Sequence, residues 1–93
     1  MFYFSKLCST IPTRWHSNPF VLGAYTYVTP ACDQSGLTVD DLAEPIVSPM
    51  DQIPRILFAG EATHKQYYGT VHGAMMAGIR EANRIMALSN STS

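Results

Sequence analysis

Residues 57–85 read LFAGEATHKQYYGTVHGAMMAGIREANRI, and most of the side chains able to do chemistry lie in this stretch. Glu61 follows Gly60 at the end of an apolar run, where a carboxylate can accept hydrogen bonds from sugar-type hydroxyls. Thr70 and Val71 stand where a helical pattern begins. A helix start presents unpaired backbone N–H groups and the positive end of the helix dipole. With glycine at 69 and 73, an anionic or electron-rich group could approach that backbone closely. Such a junction suits a phosphate or flavin, a metal ion, or no ligand. A plain strand-loop-helix, its glycines serving turns and packing, stands level with the ligand reading, because isolated glycine patterns are weak signals.

The metal reading has less behind it. His16, His64 and His72 lack the i, i+4 spacing of a helical ligand pair, and no cysteine clusters near them. We expect no metal site and read the histidines as satisfied polar residues. Tyr25, Tyr27, Tyr67 and Tyr68 suit core aromatics with hydroxyls at the edge, and Met75 with Met76 suits helix packing.

The elements that must position these residues follow from pattern. Residues 1–20 are irregular, broken by Pro12 and Pro19. VLGAYTYV, residues 21–28, is rich in β-branched and aromatic residues and predicts a strand, with Gly23 as a kink. Residues 32–45 predict loop and then one helical turn, capped by Thr38 with Asp41 and stopped by Pro45. Residues 46–55 carry two prolines and predict loop. ILFA, residues 56–59, is a continuous apolar run ended by Gly60, as in a parallel strand covered on both faces. From Val71 the period changes. Val71, Ala74, Met75, Gly78, Ile79, Ala82, Ile85 and Met86 recur at three- and four-residue steps, predicting a helix over 71–88 with Arg80, Glu81 and Arg84 largely on the opposite side.

Composition sets the outer limits. The chain has 93 residues, room for one small domain. It is 46% hydrophobic and 14% charged, against roughly 25% charged for an average domain, so part of its apolar surface is expected to pack against something else. A net charge of -1 gives no electrostatic case for nucleic acid or an acidic membrane surface. Cys8 and Cys32 show no CxxC spacing, which leaves a reducing compartment as the default. No apolar run approaches the ~20 residues of a membrane span. MFYFSKLCSTIP lacks the basic start and long apolar centre of a signal peptide. Asn90-Ser91-Thr92 fits a glycosylation sequon without a secretory signal to accompany it. The ending Ser-Thr-Ser is not a peroxisomal Ser-Lys-Leu. A cytoplasmic location is expected.

Residues 57–85 resemble the C-terminal FAD-binding segment of flavin amine oxidases, and TRWHSNPFVLGAYTYV, residues 13–28, resembles the strand that precedes it in that family. Together they look most like the animal polyamine oxidases, over residues 13–88. The resemblance implies an α/β fragment: the C-terminal strand-helix portion of a Rossmann-like FAD-binding domain, plus a strand bordering the substrate domain. Residues 1–12 would be an irregular N-terminal segment and residues 13–93 the C-terminal part of the oxidase domain. Family members are several times longer and begin with a GxGxxG turn that holds the ADP half of FAD. The sequence contains no such turn, and Lys6 and Lys65 are not in the context of the family's lysine beside flavin N5. No catalytic residue is identified.

The resemblance also implies roles. Gly60 and Glu61 would lie near the ribityl or pyrophosphate region. Thr70 and Val71 would place N–H groups at the N1–C2 carbonyl edge of the isoalloxazine. Tyr25 would face the substrate side of the ring, with Thr70 where monoamine oxidases have a second aromatic, and Trp15 would pack near the flavin. Ala24 stands where those enzymes carry the cysteine that links flavin, so FAD would be held non-covalently. The implied reaction is oxidation of a polyamine C–N bond to an imine with dioxygen as acceptor and peroxide as product. The chain alone is expected to be inactive, with self-association of its apolar surface. The alternative is a non-catalytic binding or decoy module derived from such an oxidase.

Overall fold

A computed structural model describes residues 9–91. The opening residues on which the signal-peptide expectation rests, Lys6 and Cys8, and the final Thr92 and Ser93 lie outside the described residues.

Residues 9–20 form neither helix nor strand, as the prolines suggest. The strand expected over 21–28 does not form. Instead the chain turns at Asn18, whose carbonyl accepts the N–H groups of Val21 and Leu22 at 3.0 and 2.9 Å, and Leu22 takes a left-handed backbone (φ 61°). Residues 24–28 then run without helix or strand. Aromatic and β-branched residues suit a pleated neighbourhood, but a strand also needs a partner backbone. Here the Thr26 N–H goes to the Glu61 carboxylate.

A first helix, α1 (Pro30–Ser35), occupies part of the stretch expected to be loop. Its signals are a Thr29 hydroxyl that accepts the Cys32 N–H at 3.3 Å, proline in the first turn and Gly36 at φ 72° as the stop. The next helix, α2 (Val39–Ala43), is the turn predicted from Thr38 and Asp41. The Asp41 carboxylate takes both the Thr38 N–H (2.6 Å) and hydroxyl (2.9 Å).

The region expected to be loop and parallel strand is a small antiparallel hairpin. Strand β1 (Ile46–Val47) pairs with β2 (Pro54–Ile56), with Ile46 opposite Ile56 and Val47 opposite Pro54. The turn between them closes through Ser48 N–H to the Ile53 carbonyl (2.9 Å) and Gln52 N–H to the Ser48 carbonyl (2.9 Å). Only Ile56 of the apolar run is in a strand, and it is half exposed rather than covered on both faces. A continuous apolar run tells of burial, and the neighbours that would bury this one are not in the chain's own sheet.

Glu61–Thr63 form one 3₁₀ turn, and α3 (Val71–Ser91) follows after a seven-residue loop. The helix runs three residues past the expected Leu88. Its seating differs from the sequence pattern. The buried positions are Gly73, Ala77 and Glu81, at i, i+4 and i+8, while Val71 is 89% and Met75 68% exposed. Glu81, assigned by pattern to the far side, is only 5% exposed. Gly73 and Ala77 in this inward row are small enough to bring the helix backbone against the 61–70 segment, and Glu81 continues the row as a buried carboxylate. The apolar stripe is left facing outward. In class the described residues combine helix with a small amount of strand.

Candidate functional site

The 57–73 junction is shaped by three backbone demands. Gly60 adopts φ 130°, ψ 168°, a conformation that L side chains rarely take, and so swings the chain from the extended run into the 3₁₀ turn. Thr63 fastens this turn by donating its N–H (3.1 Å) and its hydroxyl (2.9 Å) to the Gly60 carbonyl. Gly69 adopts φ 74°, and a Cβ there would stand 3.0 Å from the Thr26 carbonyl. At Gly73 a Cβ would stand 2.0 Å from the Tyr67 carbonyl oxygen, so this position of α3 admits no side chain without moving backbone.

Glu61 binds these parts together. One carboxylate oxygen accepts the Thr26 N–H (3.1 Å) and Thr26 hydroxyl (2.8 Å), and the other accepts the Gly69 N–H (2.6 Å). Partial desolvation pushes its pKa up. The Thr26 hydroxyl, Gly69 N–H and Thr26 N–H together outweigh that push and hold the carboxyl below its ordinary range. Glu61 is therefore the tie between residues 24–27 and the loop before α3, and it keeps acceptor capacity beyond these three bonds.

Thr70 caps α3. Its hydroxyl accepts the Gly73 N–H at 3.0 Å and donates to the Tyr67 carbonyl. That hydroxyl is committed to the helix start, which leaves its methyl group and backbone for a ligand. The N–H groups of Val71 and His72 open the helix with no partner among the described residues. His64 accepts the Tyr67 N–H at Nδ1 (3.1 Å), and the Tyr67 ring lies between His64 and His72 at centroid distances of 5.2 and 4.8 Å.

The result is an open depression of about 350 Å³ lined by Ala24, Tyr25, Glu61, Gly69, Thr70, Val71 and Ala74. Residues more than thirty positions apart in sequence thus meet on one surface. Ala24, Tyr25 and Ala74 give it apolar walls, Glu61 a carboxylate, and Thr70 with Val71 the start of α3. Such a surface can hold a flat, electron-rich ring by one polar edge. Gly60 does not line it and acts by aiming Glu61. Trp15 lies elsewhere, in a separate depression with Arg14, Asn18 and Phe20, and is exposed.

A polar cluster on the side of α3 opposite the apolar stripe, where the helical pattern put it, supports this arrangement. Arg80 donates through Nε to Glu81, to the Thr63 carbonyl (2.8 Å), to the Phe58 carbonyl (2.9 Å) and to the Thr63 hydroxyl (3.2 Å). Arg84 Nε lies 3.0 Å from the other Glu81 oxygen, off the line of a hydrogen bond, so that oxygen is ion-paired but not hydrogen-bonded. The available signal was spacing: Glu81 continues the i, i+4 row of Gly73 and Ala77. Among the described residues no group of three or more His, Cys, Asp or Glu could hold a metal ion.

The model of the flavin containing amine oxidoreductase family matches residues 5–86. The chain belongs to this family. Its relatives include a human peroxisomal N(1)-acetyl-spermine/spermidine oxidase, 46% identical in an alignment of 83 positions that covers 86% of this chain and 16% of the human protein. A rice protein named polyamine oxidase 1 is 44% identical over 77% of this chain and 15% of its own length. A Drosophila melanogaster protein named as a possible lysine-specific histone demethylase 1 is 45% identical over 82% of this chain and 9% of its own. The chain thus spans less than a fifth of each of these relatives. Among the described residues no helix is long and apolar enough to cross a membrane.

Proposed function

We propose that residues 13–93 form the flavin-end portion of an FAD-dependent polyamine oxidase, the C-terminal part of its oxidase domain and of a Rossmann-like FAD-binding unit. The observation that carries this reading is the convergence of Ala24, Tyr25, Glu61, Thr70 and Val71 on one depression. The donor set fits the ring end of FAD. The free Val71 N–H and the dipole of α3 suit the N1–C2 carbonyl edge, where reduction places negative charge, and favour it by ~0.3–1 kcal/mol. Ala24 offers no sulfur, so FAD is held non-covalently. Tyr25 and the Thr70 methyl form a wall on the substrate side. Glu61, positioned by Gly60, offers its remaining acceptor capacity to a ribityl hydroxyl. Trp15 keeps its place near the flavin on resemblance alone.

Held here, FAD would supply the two-electron oxidation of the carbon beside a polyamine nitrogen, with dioxygen as the final acceptor and peroxide as product. This chain's residues orient the ring edge and one substrate wall, while the lysine of the N5 side lies outside it. Nucleic acid and membrane are not partners in this reading, and the location is cytoplasmic, with the peroxisome the alternative. A second reading, a non-catalytic module that docks through the outward face of α3, is favoured by the exposure of Val71 and Met75.

Two measurements test the proposal. The chain alone, mixed with FAD and spermine, is expected to bind no stoichiometric flavin and release no peroxide, since its groups address only one end of the cofactor. A chimera carrying residues 13–86 in place of the matching segment of the human relative is expected to hold flavin, release it on acid precipitation and produce peroxide. Glu61→Ala in that chimera should lower flavin per protein. A chimera that folds without flavin would sink the proposal.

A further inference from the structure

We propose that Arg80 is the positioning residue of the candidate site: it sets the place of the Gly60–Glu61 turn against the start of α3. The inference rests on the reading of that depression as the flavin end, yet its geometry lies wholly in this chain. Arg80 is nine residues into α3, about 13 Å along the axis from Val71, too far to touch a ligand at the helix start. Its guanidinium instead grips both ends of the segment that carries Glu61. One nitrogen takes the Phe58 carbonyl at 2.9 Å, before the turn, and another the Thr63 carbonyl at 2.8 Å, after it. Between these two points lie only Ala59, Gly60, Glu61 and Ala62. The Thr63 hydroxyl, 3.2 Å from Arg80, passes the constraint on by donating to the Gly60 carbonyl.

Glu81 fixes the direction of the fork. It is buried, takes the Arg80 Nε–H on one oxygen, and is offset on the other by Arg84. Four of the five guanidinium donors are thereby used, in a planar arrangement that an ammonium group cannot reproduce. Glu61, so placed, reaches Thr26 and Gly69 together. Arg80 acts on the site through this chain of contacts and not by its charge.

The test is amide hydrogen exchange on the 93-residue chain without flavin, so that a failure of the flavin reading leaves its result intact. The amides followed are Thr26 and Gly69, both donors to Glu61, with those of residues 82–88 of α3 as the internal reference. Arg80→Met is expected to raise exchange at Thr26 and Gly69 by roughly tenfold or more relative to the reference, the loss of hydrogen bonds to a charged group. Arg80→Lys, which keeps charge and stem, should recover less than half of that protection, and Arg84→Met should leave both amides within about twofold. The proposal is overturned if Thr26 and Gly69 keep their protection in Arg80→Met. It is also overturned if all amides rise together in Arg80→Met and Arg80→Lys alike, which would make Arg80 a support of the whole fold, or if Arg80→Lys restores protection fully.

Discussion

The two sides of α3 are opposites. One carries Gly73, Ala77 and Glu81 and is seated against the 61–70 segment; the other carries Val71, Met75 and Ile79, which stay half exposed or more. Ala77 is the one buried hydrophobic residue among those described. What order the chain has around its candidate site therefore comes from hydrogen bonds to charged groups at Glu61 and Arg80, together with glycines that allow backbones to touch. The apolar stripe, which in a complete small domain would supply most of the stabilisation, contributes little here, because its large side chains are half exposed or more. Polar ties specify geometry without needing a large core, while an apolar stripe stabilises only when covered.

Substitutions on the two sides should separate sharply. The largest effect is expected from Glu81→Ala, which strands two arginines over the seated face. A loss of about 2–4 kcal/mol, reduced from that of a fully buried pair because both arginines are about one-third exposed, should appear in urea unfolding followed by circular dichroism. Equal stability of the variant would mean that the cluster is not holding the turn. Next is a glycine pair. Gly73→Ala should destabilise by ~1–3 kcal/mol, because its methyl has nowhere to go. Gly78→Ala, five residues on and with open space around it, should instead stabilise by up to ~1 kcal/mol through helix propensity. If both move stability the same way, the two sides are not distinct.

Acid offers a reversible version of the same comparison. The folded-state pKa of Glu61 is depressed, so its contribution is full above the ordinary glutamate value of ~4.3 and is lost as pH falls below it through the folded pKa. Exchange at Thr26 and Gly69 should quicken in that window relative to the α3 interior, after correction for intrinsic rates. The smallest effect belongs to the open side. Met75→Gln should change monomer stability by no more than ~0.5 kcal/mol, yet lower the sedimentation-detected self-association proposed for the chain.

Local signals in the sequence were read well where the answer was local. Thr38 with Asp41 announced α2, and the period from Val71 announced α3. The capping of α1 was equally local, in Thr29, Pro30 and Gly36, and was passed over because the surrounding residues looked like loop. The strands failed for a different reason. Residues 21–28 and 56–59 have strand-like composition, but strand formation depends on a neighbour that sequence does not display, and only Ile56 obtained one. The structure brings Ala24, Tyr25, Glu61, Thr70 and Val71 to one surface, while Gly60 does not line it and Trp15 stands apart; the roles the resemblance implies for them there belong to the proposed function. The Arg80–Glu81 cluster escaped notice because charged residues are expected outside, and periodicity alone cannot tell a seated small-residue row from an exposed one.

The crossing of α3 over the Tyr67 carbonyl has a consequence for how this sequence can vary. Every missense change open to a glycine codon introduces a Cβ, and at residue 73 every one of them puts that atom into the same carbonyl oxygen. A library of random single-base changes, selected for an intact helix start, should therefore return residue 73 as glycine or as a silent change. The codon for residue 78, on the same helix and equally glycine, should return alanine freely.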